Sequence, residues 1–283
     1  MIDPDAPDDP DDGPIVAVPQ IAVDDLAVGS NLGRLRDRVA ALPDRVDVAV
    51  FPEYALTGFV DDDRLREAAL EREAALDRLA DVADEGNVAL TAGYAERAGD
   101  ALFNATAYVP PAGTLSGGAG APDERAAVYR KRHLWGEEAE RVDAGTDRVV
   151  VDTPAGRTGL LTCYDLNFVA ESAWFTDRAV DALFVAGAWP AAHAQNWRLL
   201  LRARALDGVR WVVGAGRTGR GTASGGERGN DRRRYAGNSL VARPDGRVAA
   251  ELGRGERDLI ATLDRTVLAE QRELVGAVNN TEK

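Results

Sequence analysis

Short apolar runs alternating with amphipathic stretches of helical spacing recur along the whole of this 283-residue chain and restrict it to the α/β class. Ile15 to Val18, Val46 to Phe51, Val88 to Ala92, Leu160 to Thr162, Ala182 to Ala186 and Trp211 to Gly214 read as buried strands. Leu102 to Val109, Ala126 to Tyr129, Val149 to Val151, Ser239 to Ala242, Val248 to Ala250 and Leu259 to Leu263 add further strands. Arg243-Pro-Asp-Gly246 is a hairpin turn signal between two of them. Among the helices, one starts at Asn31 and runs through Leu35 and Val39. A long one follows Asp61-Asp-Asp63, with Leu65, Leu76, Leu79 and Val82 on one face and Gly86 as its stop. Ala170 to Thr176, Ala191 to Leu206 and Thr266 to Leu274 are the others. No repeat and no shift of composition divides the chain, so residues 14–283 are expected to form one α/β domain around two layers of strands. The Asp/Pro-rich residues 1–13 read as a disordered acidic tail, residues 110–122 as a long loop and residues 279–283 as a frayed end.

Charge narrows the partners. A net charge of −13 and a pI near 4.7 repel phosphate backbones, which argues against nucleic-acid binding. No apolar stretch reaches the roughly 20 residues of a membrane span, and the acidic opening Met1-Ile-Asp-Pro-Asp is unlike a signal peptide. A complete, cytoplasmic chain is expected. Its single cysteine forms no internal disulfide, as suits a reducing compartment. Acidity spread over the chain with so little lysine reads as adaptation to high salt.

Three residues stand out because each follows a strand and carries useful chemistry: Glu53, Lys131 and Cys163. Lysine occurs only at Lys131 and the terminal Lys283 in a chain that otherwise uses arginine, and a compact ammonium can sit beside a reacting atom where a guanidinium cannot. A thiol attacks a carbonyl or nitrile carbon as thiolate, a desolvated carboxylate can take its proton, and an ammonium favours both thiolate and oxyanion. Each residue alone also has a plain reading: Cys163 as a small buried apolar group, Glu53 as a turn carboxylate, Lys131 as a chance survivor. The glycines of Gly214-Ala-Gly216-Arg-Thr-Gly219 fit a dinucleotide-binding pattern but open no helix, since a glycine- and arginine-rich loop follows through Arg234. One cysteine and two histidines show no zinc spacing, so no metal and no cofactor are expected.

The segments around these residues resemble the nitrilase, or carbon–nitrogen hydrolase, superfamily. The matching stretches are Phe51-Pro-Glu53-Tyr-Ala-Leu-Thr-Gly-Phe59, Tyr129-Arg-Lys131-Arg-His133-Leu-Trp-Gly-Glu-Glu138 and Leu161-Thr-Cys163-Tyr-Asp165-Leu-Asn-Phe168. Ala188-Trp189-Pro190, Trp197-Arg198 and Asn238-Ser239 add to them. The resemblance implies a four-layer αββα sandwich that pairs into homodimers, with Ala191 to Leu206 and the helix after Cys163 contributing to the interface. It implies Cys163 as nucleophile, Glu53 as general base, Lys131 as oxyanion stabiliser, and Glu138 (Glu137 if the register shifts by one) as an orienting carboxylate. Tyr164, Trp189 and His133 would form the substrate-binding set: Tyr164 as a second oxyanion donor through its N–H, Trp189 lining the pocket, and His133 as a supporting or packing residue rather than a base. The implied reaction is hydrolysis of a small primary amide through a thioester, with N-carbamoyl hydrolysis, nitrile hydrolysis or a catalytically silent binding role as alternatives. One departure bears on specificity. Amidases nearest this pattern commonly carry arginine where this chain has Asn167, and proline-glutamate where it has Val169-Ala170. That weakens the expectation of a dicarboxylate monoamide as substrate.

Overall fold

The computed structural model describes residues 13–113, 126–221 and 234–276, the side chain of residue 137 excepted. The acidic tail through residue 12, most of the expected long loop, the 222–233 part of the glycine–arginine loop and the 279–283 end lie outside the described residues.

The apolar runs form two six-stranded sheets. The first contains β1 (Ile15–Gln20), β2 (Val48–Val50), β3 (Ala89–Ala98), β4 (Ala101–Val109) and β5 (Ala127–Arg130). The second contains β6 (Val150–Thr153), β7 (Gly156–Thr162), β8 (Ala182–Gly187), β9 (Trp211–Gly216), β10 (Leu240–Ala242) and β11 (Val248–Glu251), while β12 (Arg257–Thr262) returns to the first. Their orders are β12-β1-β2-β3-β4-β5 and β11-β10-β9-β8-β7-β6. In each sheet three parallel strands form the middle, β1-β2-β3 and β7-β8-β9, and antiparallel partners flank them.

Alternation along the strands builds the layers. On β1, Val16 and Val18 join the cluster between the two sheets, with Val48, Val50, Leu160, Phe184 and Val213, while Ala17 points to the opposite face. There α1 (Val28–Ala40) and α3 (Arg72–Gly86) cover the first sheet through Leu35, Val39, Leu76 and Leu79. On β7, Leu160 faces the first sheet and Leu161 faces away, into a cluster with Trp197 and Leu201 of α5 (Ala194–Leu206) and Phe175 of α4 (Val169–Thr176). The result is the expected four-layer αββα sandwich. Both sheets are covered on both faces, which is why their central strands read as unbroken apolar runs.

Two helices differ from expectation. The long helix after Asp63 is broken into α2 (Arg64–Ala68) and α3, because the Leu70 backbone leaves the helix to pair with β3: Leu70 N–H donates to the Ala95 carbonyl and Arg97 N–H to the Leu70 carbonyl, both at 2.9 Å. The helix expected from Ala191 starts as a 3₁₀ turn, Ala191–His193, before α5. The Trp189 indole N–H takes the His193 carbonyl at 2.9 Å, an acceptor that a continuous helix would use itself. The last helix, α6 (Arg265–Val275), is capped by the Asp264 side chain on the Thr266 and Val267 N–H groups.

Candidate active site

Three strand ends from two sheets meet at one buried point. Glu53 follows β2 and Lys131 follows β5 in the first sheet, while Cys163 follows β7 in the second. Lys131 Nζ donates to Glu53 Oε1 at 2.9 Å and to Glu138 Oε2 at 2.7 Å. Glu53 Oε2 accepts the Ala188 N–H at 2.7 Å, and the Glu53 charge and that N–H both act on the buried Cys163 thiol. All four side chains are under 9% exposed. Glu138 is the second glutamate at Lys131, and the side chain of Glu137 lies outside the described residues.

Asn104, which the sequence reading left as an ordinary strand residue, holds the two carboxylates together. Its Nδ2 donates to Glu53 Oε1 and Glu138 Oε1, both at 2.7 Å, and its carbonyl receives the Lys131 N–H at 2.8 Å. Tyr54 was also unassigned, and its hydroxyl donates to Glu138 Oε1 at 3.1 Å. The chain turns sharply at both reactive segments. Tyr54 has φ +56° and Cys163 φ +50°, left-handed conformations costing on the order of 1–2 kcal/mol in a residue with a side chain. At Gly93 the strand passes so near this turn that a Cβ would stand 2.4 Å from the Tyr54 nitrogen, which accounts for glycine there.

The strain at Cys163 is held by Asp165. This fully buried carboxylate accepts Tyr129 Oη at 2.7 Å and Thr162 N–H at 3.0 Å on one oxygen, and His133 N–H at 3.0 Å and His133 Nδ1 at 2.9 Å on the other. It therefore clamps the cysteine turn to the segment that carries Lys131. Asp165→Asn turns an acceptor into a donor facing these N–H groups, and a loss of about 3 kcal/mol is expected in chemical unfolding. An unfolding free energy unchanged from wild type would show that the clamp carries little.

The electrostatics are set by burial against pairing. Burial works to lower the Lys131 pKa, but Glu138 and Glu53 outweigh it and hold the ammonium well above its ordinary value. Burial pushes Glu138 up, and Lys131, with hydrogen bonds from Asn104 and the Trp135 N–H, more than reverses this and keeps it below 4.5. The Cys163 thiol is raised well above its usual range by burial and by the Glu53 charge, against the smaller opposing pull of Lys131 and the Ala188 N–H. Burial and the Glu53 charge thus both favour the neutral thiol. For stability, the Glu138 contribution is full above the ordinary glutamate range and is lost as pH falls through its depressed folded value. The Lys131 contribution, with its pKa raised, is full below the ordinary lysine range and lost only in strong alkali.

The cavity has two lobes that share Cys163 and Trp135. The inner lobe, about 40 Å³, is walled by Glu53, Lys131, Glu138, Tyr54 and Tyr235. The outer, about 200 Å³ and open to solvent, is walled by Tyr164, Trp189 and Pro190, with Asn167, His193 and Asn196 as its polar groups. Of the expected substrate-binding residues, Trp189 and Tyr164 line this outer lobe. His133 lines neither lobe: its ring stacks on Phe168 at 3.6 Å and is tied to Asp165. Trp135, His193, Asn196 and Tyr235 were not singled out from sequence, because they come from loops and helix starts whose direction no periodicity reveals. Among the described residues, no group of three or more His, Cys, Asp or Glu is set to hold a metal, and no helix is long and apolar enough to cross a membrane.

A buried cluster of thiol, carboxylate and ammonium at the seam of an αββα sandwich defines an enzyme of the hydrolase class. The chain belongs to the carbon–nitrogen hydrolase family, whose profile, described as "Carbon-nitrogen hydrolase", matches residues 15–273. It is 31% identical over 240 residues to the omega-amidase YafV of Yersinia enterocolitica, covering 84% of this chain and 85% of that one. To an (R)-stereoselective amidase of a Pseudomonas species it is 28% identical over 246 residues, with 87% and 83% covered. Its fold is shared with Nit3 of Saccharomyces cerevisiae, a member of branch 10 of the nitrilase superfamily, at a TM-score of 0.78 and 22% identity over 95% of this chain and 97% of that one. The protein is a carbon–nitrogen hydrolase related to amidases.

Proposed function

We propose that residues 14–283 act as one hydrolase domain that cleaves a small primary amide to carboxylate and ammonia, with Cys163 as nucleophile. The observation that carries this reading is that Glu53, Lys131 and Cys163 line one buried lobe, with Glu53 bonded to the Lys131 ammonium and its charge acting on the Cys163 thiol. Glu53 takes the thiol proton as sulfur adds to the amide carbon. Lys131 has three N–H donors, two of them committed to Glu53 and Glu138, and the third is available to the oxyanion. The Tyr164 N–H, in the first turn of the 3₁₀ helix Cys163–Asn167, is the second donor. Protonated Glu53 then delivers its proton to the departing amine, releasing ammonia and leaving a thioester on Cys163. Water enters, Glu53 takes its proton, the tetrahedral adduct collapses to the acid, and the thiol is restored. Glu138 and Asn104 orient Lys131 and Glu53, Trp189 walls the acyl group, and His133 packs behind Asp165. Intact-mass analysis during turnover of a small amide is expected to show one acyl adduct on Cys163. A productive reaction with no adduct trapped at any quench time would count against the thioester route.

The pH profile follows from the same groups. Cys163, Lys131 and Tyr54 are all pushed above their ordinary values, Tyr54 by burial and by Glu138 and Glu53. None of the three changes protonation between neutrality and about pH 9, so kcat/KM is expected to stay level over that range. A rise through the ordinary thiol range would mean that a free thiolate, not a Glu53-activated thiol, is the attacking form.

We also infer a homodimer in a cytoplasm of high salt. Leu199 and Leu206, seven residues apart on one face of α5, are 63% and 59% exposed, which supports a partner covering that face. The acidic, lysine-poor composition supports the salt adaptation. Light scattering in high salt is expected to give a dimer for the wild type and a monomer for Leu199→Asp, and the wild type is expected to lose its fold as salt is withdrawn. A wild-type monomer, or folding indifferent to salt, removes the corresponding inference.

A further inference from the structure

The outer lobe contrasts with the inner one in charge. At the bottom lie two carboxylates and one ammonium, a formal charge of −1 around the reacting atoms. Above them, the described residues lining the outer lobe include no lysine, arginine, aspartate or glutamate. Trp135, Tyr164 and Trp189 present aromatic surface there, and Asn167 and Asn196 present neutral amides. An amide seated with its carbonyl carbon at Cys163 must place the rest of its acyl chain in this lobe, because about 40 Å³ of inner space admits on the order of three water-sized groups, enough for the amide oxygen and nitrogen.

A carboxylate at the far end of that chain would leave water for an aromatic wall, find no lysine or arginine among the described lining residues, only the imidazole of His193, and stand above a net negative site. A neutral group loses far less on entry, and a terminal amide or hydroxyl can pair with Asn167 or Asn196. Resting on the hydrolase reading above, we propose that the outer lobe selects substrates whose acyl chain is uncharged, a short apolar, aromatic or amide-tipped chain, and rejects amides that carry a second carboxylate.

Succinamide and succinamate have nearly the same shape and differ in charge at one end. Wild-type kcat/KM is expected to favour succinamide by at least about tenfold, and binding to Cys163→Ala, followed by NMR titration, is expected to keep the same order. Asn167→Arg, which adds a cation to the wall of the lobe, is expected to narrow or reverse the preference in both measurements. Equal or better use of succinamate by the wild type overturns the proposal, as does a preference unaltered by Asn167→Arg. The binding arm separates the two ideas. Tighter binding of succinamide to Cys163→Ala, with no ammonia released from any amide by the wild type, would sink the hydrolase reading and leave the charge selection standing, whereas binding of neither ligand overturns the selection.

Discussion

Cys163→Ala is expected to reduce ammonia release from small primary amides to background, a fall on the order of 10⁴-fold or more, while leaving the fold in place. No second cysteine exists to substitute for it. In the proposed reaction the sulfur bonds to carbon, and neither neighbouring candidate suits that part: Lys131 is held protonated between two carboxylates, and the Tyr54 hydroxyl is held un-ionised by burial and by the same charges. Stability is expected to change by about 1 kcal/mol, since one buried atom is removed and alanine meets the same φ of +50° as cysteine. Matched circular dichroism and thermal unfolding establish that the loss is chemical. Turnover retained by a folded Cys163→Ala would refute the nucleophile assignment outright.

Lys131→Met is expected to do two separable things. The first is a fall in kcat on the order of 10³-fold, because the oxyanion loses its charged donor. The second is a loss of about 3–5 kcal/mol of stability near neutral pH, because Glu53 and Glu138, 2% and 7% exposed, are left as neighbouring buried carboxylates without their cation. The pH dependence distinguishes the causes. Without Lys131, burial is opposed only by the hydrogen bonds from Asn104 and the Trp135 N–H and is expected to drive the Glu138 pKa up, so the variant takes up a proton on folding and closes part of the gap to wild type on mild acidification. Adding Glu138→Gln to Lys131→Met is expected to restore part of the stability and none of the rate. A double variant as unstable as the single one would mean that the loss comes from packing rather than from an unpaired charge.

The sandwich was legible because its strands are covered on both faces and read as unbroken apolar runs, with the chemistry just past their ends. Glu53, Lys131 and Cys163 were visible for that reason. Their convergence was not visible from spacing, since it depends on which sheet each strand joins. Asn104 left a signal that went unread: with Thr106 it puts polar side chains on one face of an otherwise apolar strand, two residues apart, and Thr106 Oγ1 meets Thr162 Oγ1 across the sheets at 3.0 Å. Such a pair on a buried strand marks the seam where a polar site sits. The break at Leu70 was illegible because apolar spacing continues through it, and only the pairing with β3 ends the helix. The outer lobe was illegible because Trp135, His193 and Asn196 reach it from turns and helix beginnings.

Glu53, Asn104 and Lys131 are carried by one sheet, and Cys163 and Ala188 by the other. The sulfur therefore gains its special surroundings only when the two halves of the sandwich close on each other. During refolding, the rate at which an alkylating reagent loses access to Cys163 becomes a clock for that closure, independent of the earlier appearance of helix and strand. A nascent chain is in the same way harmless until finished, since its one thiol stays an ordinary thiol for as long as the Glu53 carboxylate waits on the other side of an unformed core.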